Sequence, residues 1–323
     1  MNIAIVGCTG LVGKEIKKIL ESKKTKNVLF IASKKSVGKT LKYNNKKHVI
    51  ISIKEALKSK IDYAIFSAGS DVSKKYAEKF TKKGTVVIDN SSYYRMKKNI
   101  KLIVPEINGK DLNKEDKIIA NPNCSTTQLV LTLHPINKIY PIKRIVVSTY
   151  QAITGTGKDA VDQLIQEEKG KTPTKKIYKD GIFRNVIPKC DIFLDNLYTK
   201  EEEKIIKETN KILNTNIKIT ATAVRTPTIG GHAESVNIEF KKEISISKII
   251  EELKKQKGII VLENKNYITP NQTREKDEVF VSRIRKDHSV KNGINLWIVA
   301  DPLRKGAATN TVQILETLIN LNN

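Results

Sequence analysis

One cysteine stands in a setting that suits nucleophilic chemistry. Cys124 lies in Asn121-Pro122-Asn123-Cys124-Ser125-Thr126-Thr127-Gln128, followed at once by the apolar run 129–133. Pro122 stops any helix arriving from upstream, and Asn, Ser and Thr are the residue types that begin one. The sulfur is therefore expected where a loop enters a buried helix. There, unsatisfied N–H groups and the positive end of the helix dipole favour a thiolate. The competing reading is a buried structural cysteine, the commoner fate of such a residue. A thiol nucleophile also needs a base. Of the four histidines, His48 and His288 lie among lysines, and His134 sits beside Pro135 on an apolar helix. His232 differs, because Gly230-Gly231 precede it and Arg225 lies seven residues upstream. Glycines let backbone pass close to a site, and an imidazole near its ordinary pKa can exchange protons with Cys124.

A second set of residues suits a dinucleotide. Residues 2–7 read as a short buried strand, and Gly7, Gly10 and Gly13 lead from it into an amphipathic helix with Ile16, Ile19 and Leu20 on one face. Glycine lets the backbone approach a pyrophosphate, whose charge then rests on the helix N-terminus. An ordinary tight turn is the bland alternative. The next strand, 28–32, ends in Ser33-Lys34-Lys35-Ser36 with no acidic residue to hold a ribose 2′-hydroxyl. Lysine and serine there suit a 2′-phosphate, so the expected cofactor is NADP. Further on, Asp89-Asn90-Ser91-Ser92-Tyr93-Tyr94-Arg95 follows a buried strand, and Arg95 could hold an oxyanion or form a surface ion pair. A cysteine nucleophile with a nicotinamide cofactor implies one reaction class: thiolate adds to an aldehyde, hydride leaves for the cofactor, and a thioester remains.

The elements that must position these groups are legible as pattern. Strand-like runs at 63–67 and 85–89 flank a helix carrying Val72, Tyr76, Ala77 and Phe80; 102–105 and 118–120 follow as further strands. This βαβ order predicts an α/β fold with an N-terminal Rossmann-like doubly wound parallel sheet. From about residue 143 the pattern changes to long strand-like runs at 144–151, 218–224 and 234–240, with helices over 158–168 and 200–213. These predict an α+β catalytic and dimerisation domain with a mostly antiparallel sheet. The stretch 170–191, rich in lysine and short polar residues, reads as an excursion, in the manner of a dimer arm. A strand at 296–299 and a closing helix at 310–319, with Val312, Leu315, Leu318 and Ile319 on its buried face, end the chain. The expected division is 1–123 with 301–323 as the nucleotide domain and 124–300 as the second.

The 323 residues suffice for two cores without disulfide staples. No apolar run approaches the ~18 residues of a membrane span, and the N-terminus enters a strand with no secretory signal pattern. Three scattered cysteines, Cys8, Cys124 and Cys190, fit a reducing compartment, so a cytoplasmic protein is expected. The net charge of +25 invites a nucleic-acid partner, yet the lysines are spread in pairs along the whole chain with no aromatic-interleaved stripe. A solvated lysine surface is the simpler reading, with neither nucleic acid nor membrane as partner.

Seven motifs in order then carry a resemblance. They are Gly7-Cys8-Thr9-Gly10-Leu11-Val12-Gly13, Asn90-Ser91-Ser92 with Arg95, Val104-Pro105-Glu106, and the Asn121–Thr126 stretch. Tyr150-Gln151-Ala152, Arg225 with Gly231-His232, and Leu303-Arg304-Lys305-Gly306-Ala307-Ala308 complete the set. Together the chain resembles the aspartate-β-semialdehyde dehydrogenase family over essentially its full length. The resemblance implies reduction of L-aspartyl 4-phosphate to aspartate semialdehyde and phosphate by NADPH, in the biosynthesis of lysine, threonine, methionine and diaminopimelate, by a homodimer without a metal. It implies Cys124 as nucleophile, His232 as acid/base and Gln151 orienting the thioester carbonyl. Arg225 would clamp the substrate carboxylate, Glu201 its amino group, and Arg95, Asn123 and Lys204 the phosphate. For the cofactor it implies Gly7, Thr9, Gly10, Leu11 and Val12 at the pyrophosphate, Ser33, Lys35 and Ser36 near the 2′-phosphate, Gly157 near the nicotinamide, and Asn310. The chain departs from the family in Thr154, where serine is frequent, and Lys35, where arginine is. A lysine point charge predicts looser NADP selectivity than an arginine fork. Reduction of N-acetylglutamyl phosphate or malonyl-CoA on the same fold, or a catalytically silent relative, are the alternatives.

Overall fold

The computed structural model describes Met1 to Asn322 and divides into two compact units, Met1–Pro122 with Ala307–Asn323, and Asn123–Gly306. The first is built on six parallel strands in the order Val28–Ile31, Ile3–Val6, Tyr63–Phe66, Val86–Asp89, Ile118–Ala120, Lys101–Leu102. Its central strands, Ile-Ala-Ile-Val and Tyr-Ala-Ile-Phe, are buried at every residue. A strand with no polar face must be covered on both sides, and parallel strands need crossovers that do this. The helix Leu11–Ser22 supplies Ile16, Ile19 and Leu20 to the core, and Thr309–Asn322 adds Val312, Ile314, Leu315 and Leu318 to the same cluster.

Two local features differ from the expected pattern. The strand expected over 102–105 is only Lys101–Leu102, because Val104 is extended and Pro105 opens the helical turn Pro105–Asn108. Proline has the right φ for a first helical residue and no N–H to give a strand ladder. A hairpin, Thr40–Tyr43 paired with Lys46–Val49, was not anticipated. Its two-residue turn places Asn44 and Asn45 at φ +47° and +61°, a conformation more familiar from Asn-Gly. His48 of this hairpin packs edge-on against Phe30 and Tyr43.

The second unit holds a mixed six-stranded sheet in the order Lys218–Thr226, Ile142–Ala152, His232–Phe240, Gly293–Ala300, Val279–Lys286, Ile259–Val261. The three inner pairings are antiparallel and the two edge pairings parallel. The first edge is parallel because the helices Lys158–Glu168 and Lys200–Leu213 lie in the connection between its strands. The helix Ile246–Lys255 and the strands Ile259–Val261 and Val279–Lys286 had no counterpart in the sequence reading. The helix Cys124–Ile139 is buried at every residue from Ser125 to Leu133. In the excursion Ile187 bridges Arg225 and Val186 stays exposed; just after it Phe193 bridges Thr199, and Ile192, Phe193 and Leu197 are exposed. Among the described residues no helix is long and apolar enough to cross a membrane.

Candidate active site

Cys124 is the first residue of its helix. Asn123, extended at φ −60° and ψ 147°, is the cap, and its Oδ1 accepts from the Ser125 and Thr126 amides at 3.0 and 3.2 Å. The helix N-terminus is thus organised around the sulfur. The turn Arg304–Ala308 has π-helical winding, and at Gly306 any Cβ would lie 2.7 Å from Cys124 Cβ, so only glycine allows this approach. The other two cysteines are buried, and burial pushes their thiols up, to about 11 for Cys8 and about 12 for Cys190. Of the three, only Cys124 has a partly open setting at a helix start.

The same cap leads into a polar network. Asn123 Nδ2 donates to Glu201 Oε1 at 2.8 Å, and its backbone amide donates to Glu208 at 2.7 Å. Gln151 Nε2 donates to Glu201 Oε1 at 3.0 Å and to Ser125 Oγ at 2.5 Å, while Gln151 Oε1 has no partner. Lys204 bridges Glu201 and Asp191 at 3.1 and 2.7 Å. Burial alone would raise the Glu201 pKa; Lys204 and the amides of Gln151 and Asn123 outweigh it and hold the carboxyl at about 2. Burial likewise works against the Lys204 ammonium, and Glu201 with Asp191 raises its pKa in spite of it. Two side chains sought as phosphate ligands, Asn123 and Lys204, therefore have their polar atoms engaged inside the protein, holding Glu201 and the Cys124 helix in place.

His232 and Arg225 meet one peptide, that of Ala152. Its N–H donates to His232 Nδ1 at 3.0 Å, and its carbonyl accepts from Arg225 Nη1 at 2.7 Å. Here the sequence reading needs correction, since it placed the imidazole near its ordinary pKa. His232 is fully buried; burial first, then the Arg225 guanidinium, pull its pKa down to about 3. A neutral imidazole that accepts at Nδ1 must carry its proton on Nε2. That Nε2 has no partner within the described chain, nor has Arg225 Nε. His232 in this state presents its Nε2–H as a hydrogen-bond donor.

The remaining candidates fall where the backbone is special. Gly7 has φ +93°, and a Cβ there would overlap the Ser67 carbonyl; a Cβ at Gly13 would overlap Gly7. Gly10 caps the helix that begins at Leu11 and Val12, with no side-chain cap and no acid in the first turn, which leaves its N–H groups for an anion. Thr9 and Gly10 are exposed at this turn. The residues present thus fit a dinucleotide pyrophosphate. Ser33 and Lys35 are exposed and Ser36 half-buried in the turn after Val28–Ile31. Arg95 is buried and donates to the Asn90 carbonyl at 2.8 Å. The loop that carries it is anchored by Asp89, which accepts from Ser73 and Ser91. Asn310 uses both Nδ2 hydrogens inside the first unit, on Ile103 O and Asn121 Oδ1, so its amide braces the closing helix. Gly157 caps Lys158–Glu168 at φ +111°.

Sequence reasoning missed Gly155, Ser125 and Glu208. A Cβ at Gly155 would stand 3.0 Å from His232 Nε2 and 3.3 Å from Arg225 Nη1, so this glycine lets the backbone pass close to both side chains. The run Thr154-Gly155-Thr156-Gly157 was the available signal, since two glycines so close rarely serve packing alone.

Comparison with known proteins agrees with this arrangement. Residues 2–115 match the family model for the semialdehyde dehydrogenase NAD binding domain, and 133–305 the semialdehyde dehydrogenase dimerisation domain. The chain is 45% identical to the aspartate-semialdehyde dehydrogenase of Aquifex aeolicus, over 98% of both chains. It is 42% identical to that of Campylobacter jejuni, over 100% of this chain and 98% of the relative. Among solved structures, aspartate semialdehyde dehydrogenase II of Vibrio cholerae in complex with ASA superposes with a TM-score of 0.95 at 39% identity, covering 99% of this chain and 98% of that one. With a cysteine-headed helix, two matched domain models and relatives of this identity along its whole length, the chain belongs to the aspartate-semialdehyde dehydrogenase family.

Proposed function

We propose that this chain interconverts L-aspartyl 4-phosphate and L-aspartate 4-semialdehyde plus phosphate, with NADP as the redox partner and Cys124 as the covalent carrier. The observation that carries the reading is the connected set around Cys124. Asn123 and Ser125 on either side of it are bonded to Glu201 and Gln151, and the next peptide, Ala152, holds His232 and Arg225. A free amino acid needs one anion for its ammonium and one cation for its carboxylate, and Glu201 and Arg225 supply them. A carboxylate held ionised as firmly as Glu201 favours a free ammonium over an acylated nitrogen. This argues against an N-acetylglutamyl substrate.

In the reductive direction the Cys124 thiolate attacks the acyl carbon, the bond to the phosphate oxygen breaks, and phosphate leaves with the electron pair. A bound NADPH would then supply a hydride to the thioester carbon. The resulting oxyanion is stabilised by the hydrogen bond that His232 Nε2–H can donate; it then collapses, the carbon–sulfur bond breaks, and aldehyde and thiolate are released. Gln151 and Asn123 hold Glu201 and the Cys124 helix in register, and Arg95 contributes positive charge for phosphate. Ser33 and Lys35, with no acidic residue beside them, favour the 2′-phosphate of NADP, and Gly7, Gly10 and Gly13 leave room for the pyrophosphate. The matched dimerisation domain supports a homodimer.

The test is a substrate panel: aspartate semialdehyde against its N-acetylglutamyl and malonyl counterparts, with NADP or NAD, and with phosphate present or omitted. Phosphate-dependent NADP reduction is expected with aspartate semialdehyde alone, and Cys124→Ala should abolish it in a folded protein. Turnover by Cys124→Ala, or a preference for another acyl substrate, would overturn the reading.

A further inference from the structure

Two residues beyond His232, on the same face of the strand His232–Phe240, stands Glu234. It is fully buried, and apart from the adjacent Gln128 amide neither carboxyl oxygen has a hydrogen-bond partner among the described residues. In register beside it are Thr149 on one strand and Ile298 on the other. The Thr149 hydroxyl is buried and equally without a partner. From the helix Cys124–Ile139 comes Gln128, whose amide lies beside the Glu234 carboxyl and whose Nε2 donates to the His232 carbonyl oxygen at 3.3 Å.

No charge on the packed elements explains a carboxylate here. The strand Gly293–Ala300 carries no titratable side chain. On Ile142–Ala152 the titratable residues are Lys143, Arg144 and Tyr150, all exposed. On the helix they are Cys124, His134 and the exposed Lys138, and along its own strand His232 and Glu239. Burying a lone carboxylate costs far more than burying the acid, and burial holds the Glu234 carboxyl well above the usual carboxylate range, offset only in part by Gln128. The protonated form also has what the ionised form lacks, an O–H donor.

We propose that Glu234, as an uncharged carboxylic acid, is a positioning residue for His232: its O–H fixes the Gln128 amide, which in turn holds the His232 backbone, with the Thr149 hydroxyl completing the buried set. The acid donates to Gln128 Oε1, which leaves Nε2 directed at the His232 carbonyl. An ionised carboxylate would instead draw Nε2 toward itself and release that carbonyl. The inference rests on His232 serving the reaction as proposed above.

The experiment compares full-length wild type, E234Q and E234L by three readouts. Infrared spectra with 13C-labelled glutamate should show, at neutral pH, an un-ionised acid band that is absent from E234Q. Nitrogen NMR of labelled histidine reports the His232 ring whether or not the enzyme turns over. That signal should be unchanged in E234Q, which keeps an uncharged donor, and shifted in E234L. In steady-state kinetics E234L should lose kcat by about tenfold or more, with KM for aspartate semialdehyde little changed, and E234Q should stay within about threefold of wild type. Should E234L fail to fold, the acid band and E234Q still decide. Absence of the band, E234Q losing as much kcat as a Cys124 helix variant, or an unshifted histidine signal with full kcat in E234L would overturn the proposal. A His232 signal that shifts in a chain inactive on every acyl substrate would instead fault the reading of function.

Discussion

Replacing Glu201 with glutamine removes a buried charge and keeps the side chain's shape. In the native protein this carboxyl is 8% exposed and accepts from Asn123, Gln151 and Lys204. Its pKa of about 2, against an ordinary 4.5, measures how far the ammonium and the two amides outweigh desolvation. A gap of that size corresponds to about 3 kcal/mol of folding stability. As pH falls, the unfolded chain takes up a proton near 4.5, the folded chain only near 2. The contribution is therefore complete above pH 4.5 and is lost between 4.5 and 2. Glutamine does not titrate, so across that window the wild type should lose about 3 kcal/mol more than Glu201→Gln. Denaturant unfolding at a series of pH values measures this directly. Trp297, the chain's one tryptophan, donates to the Ile268 carbonyl within the second unit, so its emission follows the unit that holds Glu201. Parallel stability curves for the two proteins would refute the argument that Glu201 is held ionised by its neighbours.

Three further outcomes follow from the same geometry. Asn123→Ala removes the cap of the Cys124 helix and a bond to Glu201; unfolding should show a loss of about 1–2 kcal/mol, with lower kcat, and Asn123→Ser should recover most of the stability. Arg225→Leu should raise KM for aspartate semialdehyde about 100-fold, and an unchanged saturation curve would count against the carboxylate clamp. Gly7→Ala forces a side chain into φ +93° and onto the Ser67 carbonyl, so calorimetric titration should show NADP binding lost and the first unit destabilised by about 1–3 kcal/mol; unaltered binding would contradict the pyrophosphate assignment.

Features governed by near neighbours were readable from residue types. Pro122 and Asn123 mark a helix start whatever surrounds them, and Gly7 with Gly13 marks a turn whose tightness the backbone alone imposes. Tertiary placement was not readable. Nothing near His232 along the chain signals its burial, because the peptide that takes its Nδ1 lies 80 residues away. Glu201 looked like one more acid on a charged helix until its partners, 78 and 50 residues distant, were in place. The hairpin at Asn44-Asn45 lacked the glycine that usually announces one, and Ile259–Val261 is too short to show a period. Glu234 lies in phase with Val236, Ile238 and Phe240 on the buried face of its strand, so its burial was legible in the alternation, whereas its neighbours Gln128 and Thr149 come from elements that the sequence alone does not bring together.

The first unit takes its final helix from beyond Ala307, after the whole second unit has been made. On the ribosome, then, the nucleotide sheet must wait with the apolar surface that Val312, Leu315 and Leu318 later cover, while some 180 intervening residues emerge and fold ahead of it. A nascent chain stalled short of this helix would leave that surface open to chaperones or to aggregation, whereas its cysteine-bearing unit would already be complete.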